Sequence, residues 1–334
     1  MSKEAIRFGV VGTNNITEWF LNGSKNVKGF VLTAVYSRNQ EKGKTFGEKY
    51  GVEQVFTDLE EMAKSDLIDA VYIASPNALH AEQTMLFLKH KKHVLCEKAF
   101  ASNAKEVSKM VETARSNNVL LMEAMKTTHL PNFKVLKDNL HRIGKVRRYF
   151  GSYCQYSSRY DKYKEGVVLN AFNPELSNGA LMDIGVYCIH PMINLFGMPK
   201  EIKASGVMLK SGVDGEGSAV FKYEDMDAVV IYSKIANSYL PSEIQGEDGS
   251  IIIEKINNFQ KVKIILKNGL EEDLSQPHIE EDMCYELQEF VNLTKEGKVE
   301  SNINSHQVSL SAMEVMDEVR RQIGLIFPAD KNNS

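Results

Sequence analysis

RFGVVGTNNIT, residues 7–17, decides how the rest of the chain is read. An apolar run ends at Gly12, where a strand turning into a helix would begin a dinucleotide-binding turn, G-x-G-x-x-G or G-x-G-x-x-A. Counting from Gly12, the second glycine position holds Asn14 and the third small position holds Thr17. The first glycine of such a turn makes the sharp bend, and the second lets backbone approach a pyrophosphate. Asparagine tolerates a left-handed backbone better than other non-glycine residues. Asn14 is therefore expected to keep the shape of the turn, its side chain crowding the phosphates or bonding to them. Gly12, Thr13, Asn14, Asn15 and Ile16 are the candidate cofactor contacts. An ordinary strand–helix turn without ligand accounts for the same residues.

Outward from this turn, short apolar runs alternate with helical patterns. AIRFGVVG, FVLTAVYS, DAVYIAS, HVLCEK and VLLMEA read as strands, separated by helices such as Gln40 to Tyr50 and AKEVSKMVETARSNN. Continuous apolar strands alternating with amphipathic helices imply right-handed βαβ units on a buried parallel sheet, with ligands beyond the carboxyl ends of the strands. From about Met125 the texture changes. A helix and a strand precede a loop with a helix over Asp183 to Phe196. Strands of two-residue alternation follow, including GSAVFKYE, DAVVIYSKI and GSIIIEKI, and two amphipathic helices end the pattern. The fold class expected is α/β: a Rossmann domain over 1–124 and an α+β domain with a large, mostly antiparallel sheet over 125–334. The tail PADKNNS is expected to fray.

Composition agrees with a globular chain of two domains: 334 residues, 43% hydrophobic and 25% charged. A formal net charge of −4 gives no electrostatic case for nucleic acid or an anionic membrane. The leading MSKEAIRF lacks the apolar core of a signal peptide, and no run is expected to span a membrane. Cys96, Cys154, Cys188 and Cys284 form no C-x-x-C pair and no zinc spacing, which fits a reducing cytoplasm and no metal.

At the end of the second strand stand Tyr36, Ser37 and Arg38, with no Asp or Glu for a ribose 2′-hydroxyl. An arginine there suits a 2′-phosphate, so NADP(H) is expected to be preferred over NAD(H) if the turn binds a cofactor; otherwise Arg38 is a solvated surface residue. Ser75, Pro76, Asn77 and His80 follow the third strand, and Glu97 and Lys98 the fourth. Pro76 ending a strand and Asn77 capping a helix would explain the first group structurally. Asp183, Tyr187 and His190 are spaced i, i+4, i+7 on one helix face. Asp183 as N-cap, Tyr187 as buried aromatic and His190 as core histidine is one account; a set of proton-transfer groups is another. Pro191 is expected to bend this helix.

Taken in order, FGVVGTNNI, VYSR, YIASPNALH, HVLCEKAF, MEAM and NGALMDIGVYCIHPM resemble the Gfo/Idh/MocA oxidoreductase family, nearest its dimeric dihydrodiol dehydrogenase and glucose–fructose oxidoreductase branch. The resemblance implies an NAD(P)-dependent enzyme acting on a sugar, polyol, cyclic diol or related carbonyl, with a second domain used for homodimers or higher homo-oligomers. It makes Lys98 the active-site lysine of an E-K-P motif, puts Glu97 at the nicotinamide end, and makes Tyr187 the catalytic tyrosine with Asp183 one turn earlier. A phenol has a pKa near 10, and a neighbouring ammonium favours its phenolate. Tyr187 would then exchange the proton of the substrate oxygen, Lys98 would hold that oxygen, and Asp183 would orient a second hydroxyl. Two residues depart from the pattern: Asn14 stands for a glycine, and Ala99 for the proline, which frees the backbone beside Lys98. Lys126, His129 and His190 are candidate substrate contacts. The alternative is a non-catalytic, dinucleotide-responsive regulator of the same fold.

Overall fold

The computed structural model describes residues 5–331. The chain begins β1 (Ile6–Val11), α1 (Asn15–Ser24), β2 (Phe30–Tyr36), α2 (Gln40–Lys49), β3 (Val55–Phe56) and α3 (Leu59–Lys64). It continues β4 (Ala70–Ile73), α4 (Asn77–Lys89), β5 (His93–Glu97), α5 (Ala104–Asn117), β6 (Leu121–Ala124) and α6 (Pro131–Asn139). Then come β7 (Val146–Cys154), α7 (Tyr160–Lys164), a π-turn (Leu181–Gly185) running into α8 (Val186–Phe196), β8 (Glu201–Met208), β9 (Asp214–Lys222) and β10 (Asp227–Ser233). The last elements are β11 (Ser242–Gly246), β12 (Gly249–Glu254), β13 (Lys261–Leu266), β14 (Glu271–Asp273), α9 (Cys284–Lys295), α10 (His306–Ile323) and α11 (Pro328–Lys331).

These elements form two compact units: the chain up to Lys126 with Ile279–Ser309, and Thr127–His278 with the chain from Leu310 onward. A single cut at 124/125 therefore misplaces Ile279–Ser309. Packing gives the reason. Leu287, Phe290 and Val291 of α9 are fully buried in one core with Phe8, Phe20 and Tyr72. Phe290 lies 5.6 Å from Phe8, ring centre to ring centre. Burying each such side chain stabilises by roughly 1.5–3 kcal/mol, more than a short exposed helix gains alone. Gly23 on α1 permits the approach, since a Cβ there would stand 3.1 Å from the Cys284 nitrogen.

The first unit holds a parallel sheet in the order β3-β2-β1-β4-β5-β6. The order reverses between β1 and β4, the point where such sheets bind ligands. β3 and α3 escape a reading by periodicity, because two residues of strand show no period. α5 shows the opposite case. Val107, Met110, Val111 and Ala114 form its buried stripe, Asn103 caps its start, and left-handed Asn118 ends it.

The second unit holds an eight-stranded sheet, β14-β13-β12-β11-β7-β10-β9-β8. Every pairing is antiparallel except β7 with β10. On β10, Ala228, Val230 and Tyr232 are buried while Val229 and Ile231 are partly exposed, the alternation of a sheet covered on one face. Pro174–Phe196 is, contrary to expectation, long and apolar enough to cross a membrane, but 72% of that window is buried inside the fold, as in a core helix. The tail is not loose over its described part: Asp330 of α11 accepts from Arg320 at 2.7 Å. Residues 332–334 of PADKNNS, like residues 1–4 of the leading segment, lie outside the described residues.

Candidate active site

Gly12 takes φ +113°, a backbone that L side chains avoid, and a Cβ there would meet the Ala74 carbonyl at 3.0 Å. The first glycine is thus required by the turn itself. Asn14 does not act as expected. Its backbone is extended (φ −107°, ψ 177°), so no left-handed residue is needed at that point. Its side chain turns back onto the protein: Oδ1 accepts from the Thr17 N–H at 3.1 Å and hydroxyl at 3.2 Å. Nδ2 donates to the Ala74 carbonyl at 2.8 Å, linking the ends of β1 and β4 across the switch point. Asn14 therefore caps α1 instead of crowding a phosphate. The N–H groups of Asn15 and Ile16, at the first helical positions, have no acceptor within the helix and are ready-made anion donors. The residues present fit a pyrophosphate.

At the end of β2, Ser37 is buried and its Oγ accepts from the Asn39 N–H at 3.3 Å. Arg38 is exposed and makes no hydrogen bond or ion pair among the described residues, so its guanidinium is available to a 2′-phosphate. Beyond β4, Pro76 precedes the first helical residue of α4 and no side chain caps that helix, so Asn77 is not the cap. Ser75 Oγ donates to Gln83 at 2.7 Å. His80 is fully buried, with Nδ1 2.9 Å from the Ala99 carbonyl and Nε2 2.8 Å from the Ser75 carbonyl. It braces two strand-end loops from beneath.

That brace matters beside Lys98. The Lys98–Ala99 peptide bond is cis, and His80 holds the Ala99 carbonyl where the family pattern has a proline. Lys98 itself is partly exposed. Glu97 points inward: it is 6% exposed and accepts from the Tyr72 hydroxyl at 2.5 Å. Burial raises the Glu97 carboxyl above its ordinary range. Glu286 of α9 is fully buried, with both carboxyl oxygens lacking a hydrogen-bond partner among the described residues. Burial, then the charge of Glu97, raises the Glu286 carboxyl well above its ordinary range. Lys126 pairs with Asp282 at 2.5 and 2.7 Å, and this pairing occupies the ammonium expected to contact substrate.

In the second unit, Asp183 is not an N-cap. The helix begins two residues earlier with the π-turn, and its leading N–H groups, Ala180 and Leu181, donate to Asp214 of β9 at 3.1 and 2.7 Å. Gly179, at φ +145°, is required here: a Cβ would come 2.1 Å from Asp214 Oδ1. Burial raises the Asp214 carboxyl to about 6, against the lowering effect of those N–H donors. The π-turn carries Asp183, whose Oδ2 accepts from the buried ammonium of Lys234. Such turns recur at functional sites. Tyr187, partly exposed, meets Tyr153 of β7 edge-on at 5.7 Å. His190 is fully buried. Burial and the neighbouring His190 push the His129 imidazole down to about 3, and its Nε2 is buried, so His129 is neutral at pH 7.

The structure thus places Asp183, Tyr187, His129 and His190 in one unit and Lys98 with the turn residues in the other. Sequence reasoning missed Lys234, Asp214, Tyr153 and Glu286. Lys234 directly follows a strand of clear alternation, and that was the only signal it offered.

A Rossmann sheet with a prepared phosphate turn, joined to a unit bearing an acid and a tyrosine at a helix start, defines a nicotinamide-dependent oxidoreductase class. Family models agree: an oxidoreductase family with NAD-binding Rossmann fold matches residues 6–125, and the GFO/IDH/MocA C-terminal domain matches 140–252. The chain belongs to the GFO/IDH/MocA oxidoreductase family. It is 55% identical to scyllo-inositol 2-dehydrogenase (NADP(+)) IolU of Bacillus subtilis (strain 168), over 98% of this chain and 99% of that one. It is 30% identical to trans-1,2-dihydrobenzene-1,2-diol dehydrogenase of Danio rerio, covering 98% and 99%. Among solved structures, levoglucosan dehydrogenase with NADH and levoglucosan shares the fold at TM-score 0.84, 19% identity, and 96% and 97% coverage. The non-catalytic alternative finds no support among these relatives.

Proposed function

We propose that the chain is an NADP(H)-preferring dehydrogenase acting on one CH–OH group of a cyclic polyol or sugar, with NAD(H) a poorer cofactor. The observation that carries the reading is the Asp183–Tyr187 pair on one helix start, the acid tied from below by Lys234 and both side chains partly open. A polyol offers adjacent hydroxyls, one to be oxidised and one to be held. The relative's activity on scyllo-inositol supports this class of substrate. The exposed, unpaired Arg38 supports NADP(H).

The bound nicotinamide supplies the carbon that accepts or donates hydride. Arg38 and the N–H groups of Asn15 and Ile16 hold the phosphates. Tyr187 takes the proton from the reacting hydroxyl, or returns it in reduction, a role worth about 10²–10⁴ in rate. Lys98 steadies the substrate oxygen. Asp183 accepts a hydrogen bond from a second hydroxyl and orients the ring. Four free thiols suit a reducing cytoplasm.

A second copy of the chain is the partner. Val220, Val229, Phe150 and Ile252 lie in one cross-strand row with Glu243 on the sheet's partly open face. Val220 is 46% exposed. A row of this kind is suited to burial between two copies, and sedimentation velocity reads it directly: a monomer at micromolar concentration defeats it.

Fluorescence titration with NADPH and NADH, followed by turnover on scyllo-inositol and a sugar panel, tests the whole reading. Tight NADPH binding with turnover is expected. Binding without turnover on any of them supports a regulator instead, and binding of neither cofactor removes both.

A further inference from the structure

We infer that Lys234 is a positioning residue for this reaction, holding the Asp183 carboxylate ionised and aimed for a substrate hydroxyl. The inference rests on the reading of Asp183 given above. Lys234 follows the last residue of β10, and its backbone is pinned on both sides. Its N–H donates to Gly215 at 2.8 Å, and its carbonyl accepts from Ser157 at 2.9 Å. The side chain runs inward, with the ammonium 5.2 Å from the centre of the Phe172 ring. There Nζ donates to Asp183 Oδ2 and, at 3.4 Å, to the Ala171 carbonyl.

The pair is lopsided. The Lys234 side chain is 4% exposed, whereas that of Asp183 is 32% exposed. The cation cannot meet a ligand, but the carboxylate can. A buried ammonium needs a partner, because an isolated charge away from water is costly. Asp183 is that partner, and the demand works in both directions: satisfying Lys234 fixes one carboxylate oxygen and keeps the acid in its acceptor form. Two further acids face this region from β9. Asp214 feels the same ammonium, and Glu216 accepts from the Ser233 hydroxyl at 3.3 Å. Without Lys234, Asp183 would lose its cationic partner and Asp214 a nearby positive charge, and Asp183 would bind a proton more readily.

K234M keeps the length and the apolar contact with Phe172 but removes the charge. K234Q is a second neutral variant that retains a hydrogen-bond donor, and K234R keeps the charge. Each is measured beside D183N and the double variant K234M/D183N, with thermal melting and NADPH titration as controls. On scyllo-inositol, K234M and K234Q should lose about tenfold or more in kcat/KM, the size of a hydrogen bond to a charged group. The acid limb of kcat/KM against pH should rise by about one unit in both, and K234R should leave it in place. In the D183N background, K234M should add little. Wild-type kcat/KM and an unmoved acid limb in both neutral variants overturns the inference, as does full additivity with D183N. A normal D183N enzyme defeats the reading of Asp183 itself, a result distinguishable from failure of Lys234 alone.

Discussion

The turn after β1 and the helix start at Leu181 both prepare a site, by opposite means. In the turn the working groups are backbone N–H donors, placed by chain geometry that Gly12 and the strand-to-helix bend impose within a few residues. At the helix start they are side chains held by distant residues: Asp214 from β9 caps the helix, and Lys234 beyond β10 binds Asp183 across 51 positions. A local device tolerates substitution of its side chains. A distributed one depends on each of them.

Tyr187→Phe should break the distributed site most severely, lowering kcat by about a hundredfold or more while NADPH affinity holds. Near wild-type turnover of scyllo-inositol would remove the phenol from the chemistry. Asp214→Asn comes next and is read by stability. The folded carboxyl titrates at about 6, above its ordinary 3.8. Its stabilising contribution is therefore complete below pH 3.8 and is lost as pH rises through 6. His129 works against it: its folded pKa of about 3 makes its contribution complete above the ordinary 6.5 and lost as pH falls toward 3. Comparing Asp214→Asn with wild type isolates the aspartate: the stability of wild type relative to the variant should rise by about 2 kcal/mol on acidification from pH 7 to 4. A pH-independent difference in unfolding free energy contradicts this.

In the local site, Arg38→Ala should weaken NADPH binding about tenfold and leave NADH binding unchanged. An unaltered ratio of the two affinities refutes the assignment. The smallest effect is expected at Asn14→Ala. Losing the cap should cost about 1 kcal/mol of stability, while NADPH affinity changes less than threefold, because the side chain faces the protein. A large loss of affinity with an unchanged melting temperature would return Asn14 to the phosphates.

The same contrast explains what was legible. The apolar runs and the helical stripe of α5 repeat within a single element, so periodicity exposes them. β3, of two residues, and the edge strand β14, with three exposed acids, carry no such signal. Asp183 and Tyr187 were legible as types at a spacing. The cap on their helix was not, since Asp214 lies 33 residues from the N–H it accepts. The place of α9 was hidden for a related reason: an amphipathic stripe shows that a helix buries one face without showing against what.

Composition, periodicity and the glycine turn by themselves determined that this chain builds a parallel nucleotide-binding sheet followed by a mostly antiparallel one, because those signals act over neighbouring residues. Only the tertiary structure decided that Asn14 caps a helix and bridges to Ala74, that Glu97 faces Tyr72, and that Asp183 rests on Lys234. Hydrogen bonds and ion pairs are short-ranged in space and indifferent to separation along the chain, so their partners appear only once the chain has folded.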